Sequence, residues 1–477
     1  MRYLLLILCV ICSPGVATEL PDLGTSANTV MSPAQEQELG KAFVRQLRRQ
    51  VEVIDDGQIN NYLNALGHRL ASYSNNPEQS FQFFVVKESS INAFAIPGGF
   101  IGVHSGLILM TRSESELASV LAHEIAHVTQ RHIARTIEAS QRFSLPTIAA
   151  IIAAAVIMGT TGNAQVGEAA LASVIAGSVQ MQINFTRTHE KEADRVGIQI
   201  LADAGFEPRD MPNFFQRLQE ATRHYAGNVP EFLRTHPVTT NRIAEARDRA
   251  EKYPSKPKNY TPLYHLMRAK LLVLIADNKQ NLLTLLQQML KEGRYRDERA
   301  TRYALALTLL ATRKTEGVQT QIDWLLRNDG DRVIYRLLQA RLVLLQNDYT
   351  QAMQVYEQAL HIYPGDQMLG LDYAQKLLQN NAAQKAKTVL LTISPASNPY
   401  YYRLLAQTYR AIGDEAQAHF TLAENYYLMG RTSLAVEQLK QARRFVTQDF
   451  YLASRIDARY RELRKELLEA QNGSRRR

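Results

Sequence analysis

The sequence predicts a mostly helical α+β protein in which a domain with a small β-sheet precedes an all-α solenoid of repeats. Three observations support this fold class. β-rich runs lie between residues 81 and 104, a proline-rich break spans residues 254–262, and alanines beyond that break recur every 34 residues. The predicted organisation is a signal peptide at 1–17, a first domain at 18–253, a linker at 254–262 and a repeat domain at 263–477.

The amino terminus has the layout of a secretory signal peptide. Arg2 is followed by an apolar run to Cys12 and by small residues up to Ala17, where cleavage is expected. The run is shorter than the roughly 20 apolar residues that cross a bilayer, although a retained anchor is the alternative. We therefore expect export to the periplasm, with membrane association left open.

Composition narrows the kinds of site and partner. The chain has 45% apolar and 21% charged residues, which supports hydrophobic cores. Its two cysteines, Cys9 and Cys12, lie inside the predicted signal peptide, so a disulfide framework and a cysteine-ligated metal are excluded. The net charge is +9, without an aromatic-interleaved basic stripe. We expect no nucleic-acid partner; an anionic lipid surface, an acidic protein, or no specific partner for this charge all remain open.

The first domain opens with a predicted helix and continues into three strands. Ser32, Pro33 and Gln35 form a helix start with a capping serine and a proline in the first turn. The predicted strands are residues 81–86, 91–95 and 100–104, and a Pro-Gly-Gly turn joins the last two. The 91–95 run, with Asn92, Ala93 and Phe94, is either a sheet edge on which a substrate lies as an added strand or an ordinary core strand.

A metal-binding motif follows on a predicted helix. His123-Glu124-x-x-His127 lies downstream of a capping-box pattern that begins at Ser113. Residues four apart share one helix face, so both imidazoles can hold one metal while Glu124 lies beside the remaining coordination positions. Two surface histidines on an amphipathic helix are the less favoured interpretation.

A catalytic zinc usually needs a third protein ligand. A histidine ten residues after the first would supply it, but His132 stands one place short of that position. The helical segment 188–197 offers Glu190 and Asp194 on one face, with Ala193 and Gly197 close to it for tight helix packing. We predict Glu190 as the third ligand, with Asp194 supporting it or orienting a histidine.

The other charged residues of that segment fit a different environment. Lys191, Glu192 and Arg195 are typical of a salt-bridged surface helix, and Glu192 points roughly to the side opposite Glu190.

These motifs, with residues 92–99 and Thr235-His236-Pro237, resemble the zinc endopeptidases related to the CAAX prenyl protease and HtpX. The resemblance implies a zincin-type fold and one Zn²⁺ per chain on His123, His127 and Glu190. It implies Glu124 as the catalytic base and Asp194 as a further catalytic-site acid. It also implies a periplasmic protease for unfolded or stalled outer-membrane β-barrel proteins, with their assembly machinery as partner.

The sequence leaves two features open to more than one interpretation. His236 could flank a helix that begins at Pro237, serve as a fourth zinc ligand that keeps the enzyme latent, or hydrogen-bond the tetrahedral intermediate. Residues 145–183 are apolar and alanine-rich, but neither of their runs is long enough to span a membrane. They predict a helical hairpin that covers the active site or enters a lipid interface, or plain core helices.

The second half predicts tetratricopeptide repeats. Small residues at a 34-residue period mark where paired helices approach closely, and they are Ala306, Ala340 and Ala374, with Ala352 and Ala386 in the partner helices and Ala406 and Ala418 32 residues further on. An alternative function follows from this half: a chaperone or scaffold that acts mainly through the repeats, with a normally latent protease.

Overall fold

The computed structural model describes residues 31–140, 187–224, 231–255, 261–394, 398–446 and 448–475. The predicted signal peptide and the predicted hairpin at 145–183 lie outside the described residues, and so does part of the predicted linker. Among the residues described, no helix combines the length and apolar character needed to cross a membrane.

The first domain is built of helices around a small sheet, as predicted. Its described elements are α1 (Pro33–Gln50), α2 (Gly57–Ala71), β1 (Gln82–Val86), β2 (Ala93–Ile96), β3 (Phe100–His104), α3 (Ser105–Met110), α4 (Glu114–Thr129), α5 (His132–Ser140), α6 (Arg187–Asp203), α7 (Asp210–His224), α8 (Glu231–Thr235) and α9 (Thr240–Ala250). The predicted start of α1 is confirmed, because the side chains and backbone amides of Ser32 and Gln35 form a reciprocal capping box.

The sheet has the order β1-β3-β2, with β1 parallel and β2 antiparallel to β3. The predicted β2–β3 hairpin is confirmed, and Gly98 and Gly99 adopt the left-handed backbone that its turn requires. The outer edge of β1 is occupied: the Asn64 side chain bonds both backbone groups of Phe83, and a bridge joins Val53 to Val86. Strand β2 forms the opposite edge of the sheet.

Helices α4 and α6 cross at close range in the centre of the domain. Helix α4 is buried on all sides, and a Cβ added to Gly197 of α6 would lie 3.2 Å from the backbone nitrogen of His123. Ala193 is also fully buried. The predicted tight packing through Ala193 and Gly197 is therefore confirmed, and it brings the second charged motif against the first.

The second half is a stack of antiparallel helix pairs. Its elements are α10 (Pro262–Ile275), α11 (Lys279–Glu292), α12 (Glu298–Ala311), α13 (Val318–Asp329), α14 (Val333–Leu345), α15 (Tyr349–Ile362), α16 (Gln367–Gln379), α17 (Ala383–Leu391), α18 (Pro399–Ala411), α19 (Glu415–Leu428), α20 (Thr432–Phe445) and α21 (Phe450–Arg475). Every alanine that defined the predicted period is buried between these helices. The repeat prediction is confirmed.

The first helix of the solenoid packs on the first domain. The buried Lys270 ammonium donates to Asp56 and Gln58 at 2.8 Å each, and the hydroxyls of Thr111 and Tyr264 lie 2.9 Å apart. One apolar core runs from helix α2 through α4 and α6 into the repeats as far as α14.

The far end of the solenoid returns to the same domain at helix α1. The Arg45 guanidinium donates to the Tyr427 hydroxyl at 3.1 Å and to the Glu466 carboxylate at 2.8 Å. Gly430, at a φ of +72°, presses against the backbone of Arg45, since an added Cβ would lie 2.3 Å from the Arg45 carbonyl oxygen. The solenoid is thus attached to the first domain at both ends.

The contact at Gly430 can be tested by Gly430→Ala. Alanine in the left-handed region costs about 1–2 kcal/mol, and the clash with Arg45 adds about 1–3 kcal/mol. Gly413→Ala is the matched control, because Gly413 has a φ of +80° and no neighbour within 4 Å of an added Cβ. We expect a lower thermal midpoint for Gly430→Ala than for Gly413→Ala. Equal midpoints would show that the solenoid end does not need this contact.

Candidate metal centre

Two histidines of α4 and one glutamate of α6 meet in the buried centre of the first domain. The Nε2 atoms of His123 and His127 lie 3.0 Å apart. The carboxylate oxygens of Glu190 lie 3.6 Å from His123 Nε2 and 3.5 Å from His127 Nε2. All three side chains are nearly inaccessible to solvent. The structure therefore brings together the three residues that the sequence predicted as metal ligands.

His236 joins this group from the segment after α8. Its Nδ1 lies 2.9 Å from Glu190 Oε1 and 3.4 Å from His123 Nε2. One ligand atom from each of His123, His127, Glu190 and His236 lies within 4.8 Å of the others. Helix α8 holds His236 there, because the Phe232 amide donates to the Ile91 carbonyl beside β2 and the His236 amide donates to the Phe232 carbonyl.

One of the three interpretations of His236, that it flanks a helix beginning at Pro237, is wrong. Helix α9 starts at Thr240, where the Thr239 side chain caps it by accepting from the Arg242 amide. The Pro237 carbonyl instead accepts from the Arg242 guanidinium at 2.8 Å. His236 therefore does not flank the start of a helix; it follows the end of α8, with its ring against Glu190 and His123.

Glu124 lies beside the metal group with no aligned partner. It is fully buried, and within the described residues no hydrogen-bond donor is aligned with either carboxylate oxygen. Burial raises the pKa of its carboxyl, while the charges of His236 and His123 and the nearby backbone of Ala95 in β2 act against that rise. His236 Nε2 lies 3.6 Å from Glu124 Oε1. Glu124 therefore lies between the cluster of candidate ligands, which His236 joins, and the edge strand β2.

Asp194 lies against the edge of the His123 ring that faces away from the other candidate ligands. Its Oδ1 lies 3.1 Å from His123 Nδ1. Burial alone lowers the pKa of His123, but Asp194 and Glu190 outweigh burial and raise it to about 9. Burial and the neighbouring His123 lower the pKa of His127 well below its usual value.

Sequence reasoning missed Arg242. Its buried guanidinium forms two 2.8 Å hydrogen bonds with Asp194 and lies 2.8 Å from Glu190 Oε2. Burial raises the pKa of Asp194, but Arg242 and His123 together outweigh burial and lower it. A signal was available: Arg242, Ala246 and Ala250 recur every four residues, so an arginine stands in the apolar stripe of α9.

The donor set fits a catalytic zinc ion. Two imidazole nitrogens and a carboxylate oxygen are the ligand types that zinc takes in hydrolases. Two Nε2 atoms 3.0 Å apart can share only one proton between them, whereas a cation between them accepts both lone pairs. His132 stays outside this group, as its spacing predicted.

The predicted salt-bridged surface position is correct for Lys191 and Arg195, whereas Glu192 is ion-paired but only about one-quarter exposed. Lys191 forms an exposed ion pair with Glu245, and Arg195 is about half exposed. Glu192 instead lies against buried His132, 3.2 Å from its Nε2. The reason is that α5 packs on this side of α6 and brings His132 and Arg135 to the carboxylate.

Comparisons with known proteins agree with this geometry. The model of peptidase family M48 matches residues 58–250, and a tetratricopeptide repeat model matches residues 343–408. The chain is 35% identical to the β-barrel assembly-enhancing protease of Escherichia coli (strain K12) over 451 residues, which cover 94% of this chain and 92% of that protein.

Two further relatives match different shares of this chain. The putative β-barrel assembly-enhancing protease of Vibrio cholerae is 36% identical over 470 residues, 96% of each chain. The mitochondrial metalloendopeptidase OMA1 of Schizosaccharomyces pombe is 28% identical over 187 residues, which cover 39% of this chain and 52% of that protein.

The role of Arg242 predicts the effect of Arg242→Met. Removing the guanidinium leaves Asp194 and Glu190 buried without their counter-charge, which costs about 3–5 kcal/mol. We expect a clearly lower thermal midpoint for the metal-free variant. Arg247→Met is the control, because Arg247 lies on the exposed side of the same helix, where its guanidinium donates to the Gln216 side chain. Similar midpoints for the two variants would contradict a charge-balancing role.

Proposed function

The chain belongs to the family of β-barrel assembly-enhancing proteases, with a peptidase family M48 domain, and from that premise we propose that it is a zinc-dependent periplasmic endopeptidase for outer-membrane β-barrel proteins. Its substrates are stalled or misfolded precursors, and its activity supports their assembly. The observation that carries the proposal is the buried convergence of His123, His127 and Glu190 beside Glu124.

The residues of the proposed metal centre have different roles in peptide hydrolysis. His123, His127 and Glu190 would hold zinc, which when bound polarises the scissile carbonyl and acidifies water. Glu124 takes a proton from the attacking water as the new carbon–oxygen bond forms. It returns that proton to the leaving nitrogen as the carbon–nitrogen bond breaks. Its raised pKa suits a group that must hold a proton between these two steps.

Asp194 and Arg242 orient the proposed metal ligands and balance their charge. The Asp194 carboxylate lies 3.1 Å from His123 Nδ1, so its charge favours a proton on that nitrogen and leaves His123 Nε2 directed at His127 and Glu190. Arg242 holds the Asp194 carboxylate from its other side and balances the charge of Glu190. In this proposal Asp194 is a positioning acid and makes no contact with substrate.

Strand β2 is the proposed site of substrate binding. It is an edge of the sheet, and in the described part of the chain no strand pairs with its outer side. The backbone of Ala95 lies near Glu124, so a substrate strand added along Asn92, Ala93 and Phe94 would pass the catalytic base. Such binding selects unfolded chains and exposed β-strands.

His236 supports a latent state in this proposal. Its Nδ1 is one of four converging ligand atoms, and a zinc ion with four protein ligands has no open position for water or substrate. Activation would then require His236 to move away. The alternative role, a hydrogen bond to the tetrahedral intermediate, uses its Nε2 on the side of Glu124.

A second candidate function is a scaffold or chaperone whose protease is normally shut. The position of His236 in the metal group favours it, and so does the solenoid, which offers a second surface for outer-membrane proteins or their assembly machinery. The two candidates differ in whether the cellular role needs peptide hydrolysis.

Glu124→Gln tests the catalytic proposal. We expect casein digestion to fall by about 10²–10⁴-fold, because the variant cannot accept the proton of water. Zinc content should remain at one per chain, since Glu124 is not a proposed ligand. Glu220→Gln, at an exposed glutamate of α7, is the control. Undiminished digestion by Glu124→Gln would contradict the proposed mechanism.

The same variant separates the two candidate functions in cells. If Glu124→Gln restores outer-membrane protein assembly to a strain that lacks the gene, the scaffold function carries the phenotype. If it does not, the protease function carries it.

His236→Ala tests latency. A fourth ligand that closes the site predicts faster casein digestion by the variant, whereas stabilisation of the intermediate predicts slower digestion. We expect the faster rate, because His236 Nδ1 lies among the ligand atoms. His361→Ala, at an exposed position of α15, is the control. A rate equal to wild type would exclude both roles.

A further inference from the structure

A second buried histidine lies directly behind a proposed metal ligand. The Nδ1 of His127, on the ring edge away from the metal group, is 2.8 Å from His132 Nδ1. His132 Nε2 lies 3.2 Å from Glu192 Oε2. We propose that His132 and Glu192 are positioning residues that fix the tautomer and orientation of His127 for zinc binding. This inference rests on the proposed zinc site.

The hydrogen-bond chain allows one assignment of protons. Arg135 Nη1 lies 2.8 Å from the same oxygen of Glu192, so Glu192 is held as a carboxylate and can only accept. His132 must then donate from Nε2, and a neutral imidazole with its proton there accepts at Nδ1. His127 therefore donates from Nδ1, which leaves the lone pair of its Nε2 directed at His123 and Glu190.

The backbone explains how His132 reaches His127. Residues five apart in a continuous α-helix are separated by about 140° around its axis and cannot face one another. Here α4 ends before Arg131, which adopts a left-handed backbone at a φ of +51°, and α5 begins at His132. The Arg131 guanidinium bonds the Glu36 carboxylate and the Met31 carbonyl of the α1 region, which fixes the turn.

The surroundings of His132 hold its ring in one orientation. The ring is fully buried and stacks on His189 of α6, with centroids 4.4 Å apart and planes 11° from parallel. Its Nδ1 faces the outer nitrogen of His127 and not the converging ligand atoms, so it cannot serve as a metal ligand in this arrangement. Its contacts instead join α4, α5 and α6 at the back of the site.

Zinc affinity of the purified full chain tests the proposal, measured by competition with a chromophoric zinc chelator. His132→Leu removes both hydrogen bonds and should weaken zinc binding by about 10–100-fold. His132→Asn places an amide oxygen where Nδ1 stood, so it should recover most of that affinity. Glu192→Gln should weaken binding more than Glu245→Gln, a matched change at an exposed ion pair on Lys191.

The melting temperature of each metal-free protein separates positioning from folding. The proposal predicts that Glu192→Gln, at a side chain about one-quarter exposed, melts like wild type without metal but gains less on adding zinc. Equal zinc affinity in wild type, His132→Leu and Glu192→Gln would overturn the proposal while leaving the zinc site intact. A wild-type protein that binds no zinc would overturn the zinc site and this inference together.

Discussion

The charge of three buried carboxylates is the constraint on which the metal centre depends. Glu124, Glu190 and Asp194 all lie in the interior, where an uncompensated charge is strongly unfavourable. Arg242 supplies one positive charge, through hydrogen bonds to Asp194 and an ion pair with Glu190. A divalent cation would supply two more, so three negative charges meet three positive ones. The raised pKa of Glu124 agrees with this account, because it is the carboxylate that Arg242 does not reach.

The sequence predicts best what depends on local periodicity. The spacing of four between His123 and His127, and between Glu190 and Asp194, places each pair on one helix face, and the structure places both pairs in one site. The small residues Ala193 and Gly197 predicted that the two helices would touch. The alanine period predicted the solenoid for the same reason, since close helix contacts need small side chains at regular intervals.

The features that the sequence left undetermined depend on chain reversals and long-range contacts. The alignment of His132 with His127 requires a left-handed arginine at position 131, a conformation for which arginine has no local preference. Arg242 lies 48 residues beyond Asp194 and meets it only because α9 packs on α6. Pro237 suits the first turn of a helix, but Thr239 provides the capping side chain, and the helix begins after it.

The two attachments of the solenoid have a consequence for its length. A repeat array that is fixed at one end can gain or lose a unit, because each unit contacts only its neighbours. Here Lys270 secures the first helix to α2, and Tyr427 and Glu466 secure the last units to α1. One unit more or fewer would carry the last units away from Arg45. The two attachments therefore fix the number of repeats. Evolution can change that number only if one of the two contact sites on the first domain moves as well.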